Sequence, residues 1–154
     1  MKININSLNS NEKIFHVKSI EDLKIFSKFL ADKLEPDSFL LLSGDLGVGK
    51  TSLVQFISYE FGIEEKVNSP TFNILKRYWI DKKKCFLNHF DFFKLKKNED
   101  ISFFDDFKFN NINIIEWPEL NSLFWNNEIK VFSVKMFFGY ENERKIKYSY
   151  LENN

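Results

Sequence analysis

Two stretches in the N-terminal half of the chain carry helical periodicity. Apolar residues recur at spacings of three and four through residues 20–34, which predicts an amphipathic helix. Ser19, with Asp22 three positions later, resembles a capping box at its start, and Pro36 stops it because proline cannot continue a helix. A second helical pattern covers residues 50–61, and the glycine that follows it can cap its C-terminus.

Apolar runs without helical spacing predict strands. Residues 39–42 and 112–116 are short and largely apolar, which is typical of strands buried on both faces of a sheet. Longer runs rich in β-forming residues pair across polar turns and predict two antiparallel hairpins. The paired runs are 72–80 with 85–92, and 129–138 with 144–151.

Three other segments give weaker patterns. Residues 1–10 are polar and indicate a loose or short edge segment. Residues 98–107 favour a short acidic helix, and Pro118 can open another that runs to about Trp125. No internal repeat or linker-like tract interrupts the chain, so we expect one α/β domain over residues 1–154.

Composition narrows the class of protein. A chain of 154 residues can bury one substantial core, and a hydrophobic fraction of 44% excludes a disordered protein. The 22 basic and 22 acidic side chains give a net charge of zero. This disfavours a protein that binds nucleic acid mainly through an excess of positive charge. A single cysteine makes no internal disulfide. With no signal-peptide pattern and no run of about 20 apolar residues, we expect a cytoplasmic protein without membrane contact.

The strongest motif lies between the first buried strand and the second helix. Residues 44–51 read Gly-Asp-Leu-Gly-Val-Gly-Lys-Thr and match G-x-x-x-x-G-K-[ST] in full. In such a P-loop the glycines let backbone N–H groups converge on phosphate oxygens, and the helix N-terminus adds its dipole. Lys50 supplies charge for the β- and γ-phosphates, and the Thr51 hydroxyl binds Mg²⁺. This predicts a P-loop NTPase-like three-layer sandwich with a mixed sheet and a C-terminal antiparallel hairpin.

Nucleotide hydrolysis also needs carboxylates beside the loop, and two predicted strands supply them. Asp91 lies near the end of 85–92, and Glu116 ends 112–116. Because the carboxyl ends of parallel strands meet at one edge of a sheet, both acids are candidates for holding the metal or placing the attacking water. Alternation puts His89 on the same face as Asp91, although a histidine among aromatic residues is more often a hydrogen-bonded core residue.

Two further segments have two interpretations each. Ser69 and Thr71 lie in a Ser-Pro-Thr loop, where their hydroxyls either meet the γ-phosphate region as a switch or belong to a plain turn. Trp117 follows the acid Glu116 and either packs in the core or covers the nucleotide.

Other functions remain as alternatives. The chain has no N-K-x-D motif for guanine, and its two arginines, Arg77 and Arg144, are few for the substrate clamps of small-molecule kinases. A P-loop kinase for a small molecule is therefore a minor alternative. A docking module that binds ATP without hydrolysing it is the other.

Four motifs together resemble one family, the bacterial TsaE (YjeE) proteins of tRNA threonylcarbamoyladenosine biosynthesis. Their order and spacing agree from about Ser19 to Arg144. The P-loop occurs in many proteins, whereas S-P-T-F, H-x-D and E-W-P-E in combination are specific. The matching segments are Leu41–Thr51, Asn68–Phe72, His89–Asp91 and Ile115–Glu119.

The resemblance implies a Mg²⁺-dependent ATPase, weak by itself, that joins two partner proteins, TsaD and TsaB. Their complex attaches a threonylcarbamoyl group to the adenosine beside the anticodon of tRNA, and ATP hydrolysis resets or drives this complex. The resemblance therefore implies that the chain contacts tRNA indirectly, through the partners. By matching motif positions, the catalytic candidates are Glu116, Asp91 and Thr71, and the metal candidates are Thr51, Glu116 and Asp91. The nucleotide-binding candidates are Gly44, Asp45, Leu46, Gly47, Val48, Gly49, Lys50, Thr51, Ser52 and Trp117.

The sequence departs from the family pattern at two places. Phe93 and Lys94 stand where the family often has Tyr-Arg, so a bidentate contact by that arginine is lost. Ser52 stands where a second threonine is common, and it keeps the hydroxyl. The division of labour between Asp91 and Glu116 stays open at this point.

Overall fold

The computed structural model describes residues 11–152, so the polar segment 1–10 lies outside the described residues. Within them one mixed sheet has the strand order β1-β7-β6-β2-β5-β4-β3. Its strands are β1 Lys13–Val17, β2 Ser38–Gly44, β3 Leu75–Ile80, β4 Cys85–Asp91, β5 Ile112–Glu116, β6 Lys130–Phe138 and β7 Arg144–Glu152.

The centre of the sheet is parallel and its edges are antiparallel. Strand β2 pairs in parallel with β5 and β6, and β4 pairs in parallel with β5. The pairs β3–β4 and β6–β7 are antiparallel, which confirms both predicted hairpins. In this register Leu42 lies opposite Glu116, and Glu116 lies opposite Asp91. The carboxyl ends of β2, β5 and β4, which carry the candidate functional residues, therefore lie side by side in the sheet.

Two helices, α1 (Ile20–Ala31) and α2 (Lys50–Glu60), cover one face of the sheet. The Ser19 hydroxyl accepts the N–H of Asp22 at 3.1 Å, as the capping pattern predicts. Helix α1 ends three residues earlier than its apolar spacing suggests, with Asp32 as C-cap. The core between the two helices and the sheet contains wholly buried side chains, among them Leu30, Leu40, Leu42, Leu53, Ile57 and Ile114.

The other face carries a thinner third layer around a second core rich in phenylalanine. Its regular structure consists of the four-residue helix α3 (Asp105–Lys108) and three turns of 3-10 helix, at Ser102–Phe104, Pro118–Leu120 and Ser122–Phe124. These elements bury Phe39, Phe90, Phe92, Ile115, Phe124 and Trp125. None of the helices within 11–152 is long and apolar enough to cross a bilayer.

Two short helices were predicted in this layer, one over residues 98–107 and one from Pro118 to about Trp125. Both predictions were wrong in extent, because shorter helical segments form there. The Asp100 carboxylate accepts the N–H of Ser102 at 2.9 Å, a local turn that competes with helix formation. Asn121 has a non-helical backbone, with φ −149° and ψ 75°, and its buried side chain donates to the carbonyl of Glu99 at 2.7 Å. That bond breaks the segment 118–125 into two turns of 3-10 helix.

The sequence reasoning missed one strand, β1, at the edge of the sheet. It pairs antiparallel with β7. Only Phe15 and Val17 are shielded from solvent along its five residues. Two inward positions are too few for a period-two pattern to stand out.

Candidate functional site

The loop after β2 packs closely against β6, and glycine makes this possible. Gly44 has φ +146°, and a Cβ there would lie 2.6 Å from the carbonyl oxygen of Met136. Any other residue would force the two backbones apart. Gly47 and Gly49 also have positive φ, at 79° and 118°. These glycines of the motif therefore allow backbone conformations that other residues rarely adopt.

Helix α2 starts at the end of this loop with a free N-terminus. Its N-cap is Gly49, and no side chain caps it. The first N–H groups of a helix lack partners within the helix, and its dipole is positive there. The loop and the first turn of α2 thus form a place where an anion gains hydrogen bonds.

Lys50 is buried within the loop. Its ammonium Nζ donates to the carbonyls of Gly44 at 2.6 Å and Asp45 at 3.0 Å, and it lies 4.3 Å from the ring centre of Trp117. Burial lowers the pKa of Lys50, while the charges of Glu116 and other nearby acids act in the opposite direction. A desolvated ammonium gains more than an exposed one from a phosphate partner.

Glu116 is buried at the end of β5 and is held by two side chains. The Thr51 hydroxyl donates to its Oε1 at 2.9 Å. The Nε2 atom of His89 lies 3.0 Å from the same oxygen. Two of the three metal candidates are therefore in direct contact, and the histidine that we interpreted as a core residue touches one of them.

Asp91 has a different set of partners. Its Oδ2 accepts the hydroxyls of Ser69 at 2.7 Å and Thr71 at 3.0 Å. Its Oδ1 accepts the N–H of Phe93 at 2.9 Å. The loop that contains Ser69 and Thr71 is thereby fastened to the end of β4.

These groups line one cavity of about 340 Å³. Phe93 belongs to it, although sequence reasoning did not assign it to the site, and so does Ser69, which was considered only together with the Ser-Pro-Thr loop. The signal for Ser69 was its hydroxyl two positions before Thr71, and the ring of Phe93 lies 5.0 Å from that of Trp117. The predicted positions in the lining are Leu46, Gly47, Gly49, Lys50, Thr51, Ser52, Thr71, Asp91, Glu116 and Trp117. The other three predicted positions, Gly44, Asp45 and Val48, are in the loop but not in this lining.

A second cavity, of about 410 Å³, opens on the other side of the loop and was not predicted. It shares Gly47, Gly49 and Ser52 with the first. The Arg144 side chain borders it and donates to the carbonyl of Val48 at 3.0 Å. The remaining lining comes from the loop itself, from the end of β1 and the start of α1, and from the β6–β7 hairpin: Val48, Val17, Lys18, Ser19, Ile20, Leu23, Met136 and Asn142.

A parallel sheet centre, a P-loop that opens a helix and acids on the neighbouring strands define a nucleotide-binding protein of the P-loop class. The family model described as threonylcarbamoyl adenosine biosynthesis protein TsaE matches residues 17–146. The chain therefore belongs to the TsaE family, which takes part in tRNA threonylcarbamoyladenosine biosynthesis. This confirms the resemblance seen in the four motifs.

Individual relatives agree with the family match. The chain is 36% identical over 107 residues to the tRNA threonylcarbamoyladenosine biosynthesis protein TsaE of Rickettsia conorii, covering 68% of this chain and 60% of that protein. The TsaE protein of Synechocystis is 34% identical over 119 residues, covering 73% and 74%. The crystal structure of YdiB from Bacillus subtilis has a TM-score of 0.74 at 22% identity, covers 93% and 87% of the two chains, and supports the fold.

Proposed function

We propose that this protein is a Mg²⁺-dependent ATPase that acts in tRNA threonylcarbamoyladenosine formation together with TsaD and TsaB. One observation carries the proposal. The Thr51 hydroxyl, in the first turn of α2, donates to the carboxylate of Glu116 at 2.9 Å. The P-loop and the end of β5 thus bring an alcohol and an acid together where a nucleotide's phosphates would end.

The oxygen donors of the site fit Mg²⁺. Mg²⁺ prefers oxygen ligands, and proteins usually hold it with one or two carboxylates together with substrate phosphates. Thr51 and Glu116 would hold the ion, and Asp91 would act on the same cavity through water. When bound, the ion neutralises charge that develops on the phosphates.

The chain's own residues divide the remaining work. Lys50 would leave the loop carbonyls that it now contacts and bind the β- and γ-phosphates. Asp91 fastens the loop that carries Thr71, and both residues line the cavity, so the Thr71 hydroxyl would lie near the terminal phosphate. Trp117 forms one wall of the cavity and shields the ammonium of Lys50 from water.

The second cavity suits the nucleoside part of ATP. It continues from the phosphate side across Gly47 and Gly49. Its walls combine apolar side chains such as Leu23 with polar groups such as Asn142, a combination typical of small-molecule sites. A base placed there would leave the phosphates on the P-loop.

The proposal is tested by ATP hydrolysis of the purified chain with and without TsaD and TsaB. We expect slow hydrolysis that rises when the partners are added. We propose the cytoplasm as the place of this role. Equal rates with and without them would contradict the role of the partners. Transfer of phosphate to a small molecule much faster than to water would favour a kinase instead.

A pair of variants tests the site itself. Glu116→Ala should keep nucleotide binding and lose hydrolysis, because its carboxylate acts on the metal and water. Asp106→Ala removes an exposed acid from α3, in the layer on the opposite face of the sheet, and should hydrolyse ATP as the wild type does. If Glu116→Ala hydrolyses normally, the assignment is wrong. If it loses hydrolysis but still supports tRNA modification, the chain is an ATP-gated docking module.

A further inference from the structure

His89 lies inside the protein, next to the candidate metal ligand but outside the cavity lining. It is wholly buried in β4. In the register of the sheet it lies opposite Ile114, two positions before the pair of Asp91 and Glu116. Its Nε2 atom therefore reaches the Glu116 carboxylate diagonally, at 3.0 Å from Oε1.

The other ring nitrogen of His89 shows which atom carries the proton. Nδ1 is buried and has no hydrogen-bond partner in the described structure. A proton on Nδ1 would be a buried donor without an acceptor, which is costly. The ring proton is therefore on Nε2, and the histidine donates it to Glu116.

Two donors from separate elements consequently fix one carboxylate oxygen. Thr51 donates from α2, and His89 donates from β4. A glutamate side chain is flexible, and holding it in one rotamer has an entropic cost. Hydrogen bonds from donors that packing already fixes offset that cost, because they favour one orientation of the carboxylate.

We propose that His89 is a positioning residue, which holds Glu116 in the orientation that metal binding and hydrolysis require. This inference rests on the proposed function of the site. A histidine that only fills the core would affect stability, whereas a positioning residue affects stability and the metal together. Partners that orient metal ligands typically contribute about 10–100-fold in metal affinity or activity.

The test compares His89→Leu, which removes the donor, with His89→Gln, whose amide N–H can replace it. Binding of a fluorescent ADP analogue is measured as a function of Mg²⁺ concentration, alongside kcat and KM for ATP hydrolysis. We expect His89→Leu to need about 10-fold more Mg²⁺ for its half-maximal effect and to lose about 10–100-fold in kcat with little change in KM. His89→Gln should recover part of both.

Two controls separate positioning from packing. Asn88→Leu changes a wholly buried residue of the same strand whose side chain bonds Asn113 on the opposite face, so it should lower the melting temperature without changing the Mg²⁺ dependence. In a Glu116→Ala background, His89→Leu should have no further effect on Mg²⁺ dependence, because coupled residues are not additive.

The inference is overturned if a folded His89→Leu protein keeps the wild-type Mg²⁺ dependence and kcat, or if the two substitutions add independently. A wild type that does not bind the ADP analogue at all would instead contradict the proposed function. A wild type that binds it with Mg²⁺ but shows no hydrolysis would leave the binding comparison to decide the role of His89.

Discussion

At the scale of single residues, the site holds charged groups that are buried before any ligand arrives. The Lys50 ammonium is shielded by Trp117, and within residues 11–152 its hydrogen bonds go to the loop carbonyls of Gly44 and Asp45. Glu116 receives two hydrogen bonds on one oxygen. Such groups cost desolvation energy in the free protein, and a phosphate or metal partner can offset it. The arrangement is suited to binding more than to stability.

Lys50 gives a pH prediction. Because burial lowers its pKa below the ordinary 10.5, Lys50 loses its proton at a lower pH than an exposed lysine. Phosphate binding favours the charged form, so nucleotide affinity should fall as the pH rises towards 10.5, with proton uptake on binding. Titration of a fluorescent ADP analogue at several alkaline pH values measures this. An affinity that stays constant until exposed lysines titrate would contradict the expectation.

At the scale of elements, the sequence predicted correctly those helices and strands whose pattern depends on residues within the element itself. The capping residue of α1, the buried strands β2 and β5 and both hairpins follow from local spacing and turn residues. The segment 118–125 does not, because Asn121 bonds Glu99 from a distant part of the chain. Long-range side-chain bonds of this kind override local propensity.

The candidate site also has parts that could be predicted from the sequence and parts that could not. The P-loop could be predicted because its chemistry is local to residues 44–51. The contact between Glu116 and Thr51 depends on the register of β2 with β5, and the bond from Ser69 to Asp91 depends on how a loop folds back. Neither distance can be read from spacing alone. The second cavity lies between α1 and the β6–β7 hairpin, and no sequence motif indicates it.

The loop that carries Ser69 and Thr71 gives a prediction at this scale. Its two hydroxyls both donate to Asp91, so Asp91→Ala should release the loop. Hydrogen exchange of residues 68–72 should become faster, while exchange in α1 stays the same. Asp91→Asn keeps an acceptor oxygen and should show a smaller change. Unchanged exchange in Asp91→Ala would show that other contacts hold the loop.

At the scale of the whole molecule, two cores lie on opposite faces of one sheet. The face with α1 and α2 is rich in aliphatic side chains, and the other face is rich in phenylalanine. Tyr148 lies in β7, the strand beside the edge strand β1, and belongs to the first core. Its ring lies 5.3 Å from that of Phe29 in α1 and 6.3 Å from that of Phe132 in β6.

Tyr148 therefore predicts how the fold responds to alkali. Burial and the neighbouring Tyr150 raise the pKa of Tyr148 from 10.0 to about 12. The folded state favours the neutral phenol, so this stabilisation is complete below pH 10 and is lost as the pH rises through about 12. Tyr148→Phe should reduce the alkaline loss of unfolding free energy, measured by urea denaturation at pH 9 and 11. Tyr78 contributes in the same direction, so a remaining decline is expected. An identical decline in both proteins would contradict the role of Tyr148.

We infer that the loop 44–51 and the neighbouring acids form a nucleotide site, and calorimetric titration of ATP with Mg²⁺ measures this binding. We expect saturable binding of one ATP per chain by the wild type. Lys50→Ala should bind far more weakly while melting close to the wild-type temperature, because its bonds are to loop carbonyls outside the two cores. Equal binding by the two proteins, or no binding by a folded wild type, would show that the loop 44–51 is not a nucleotide site.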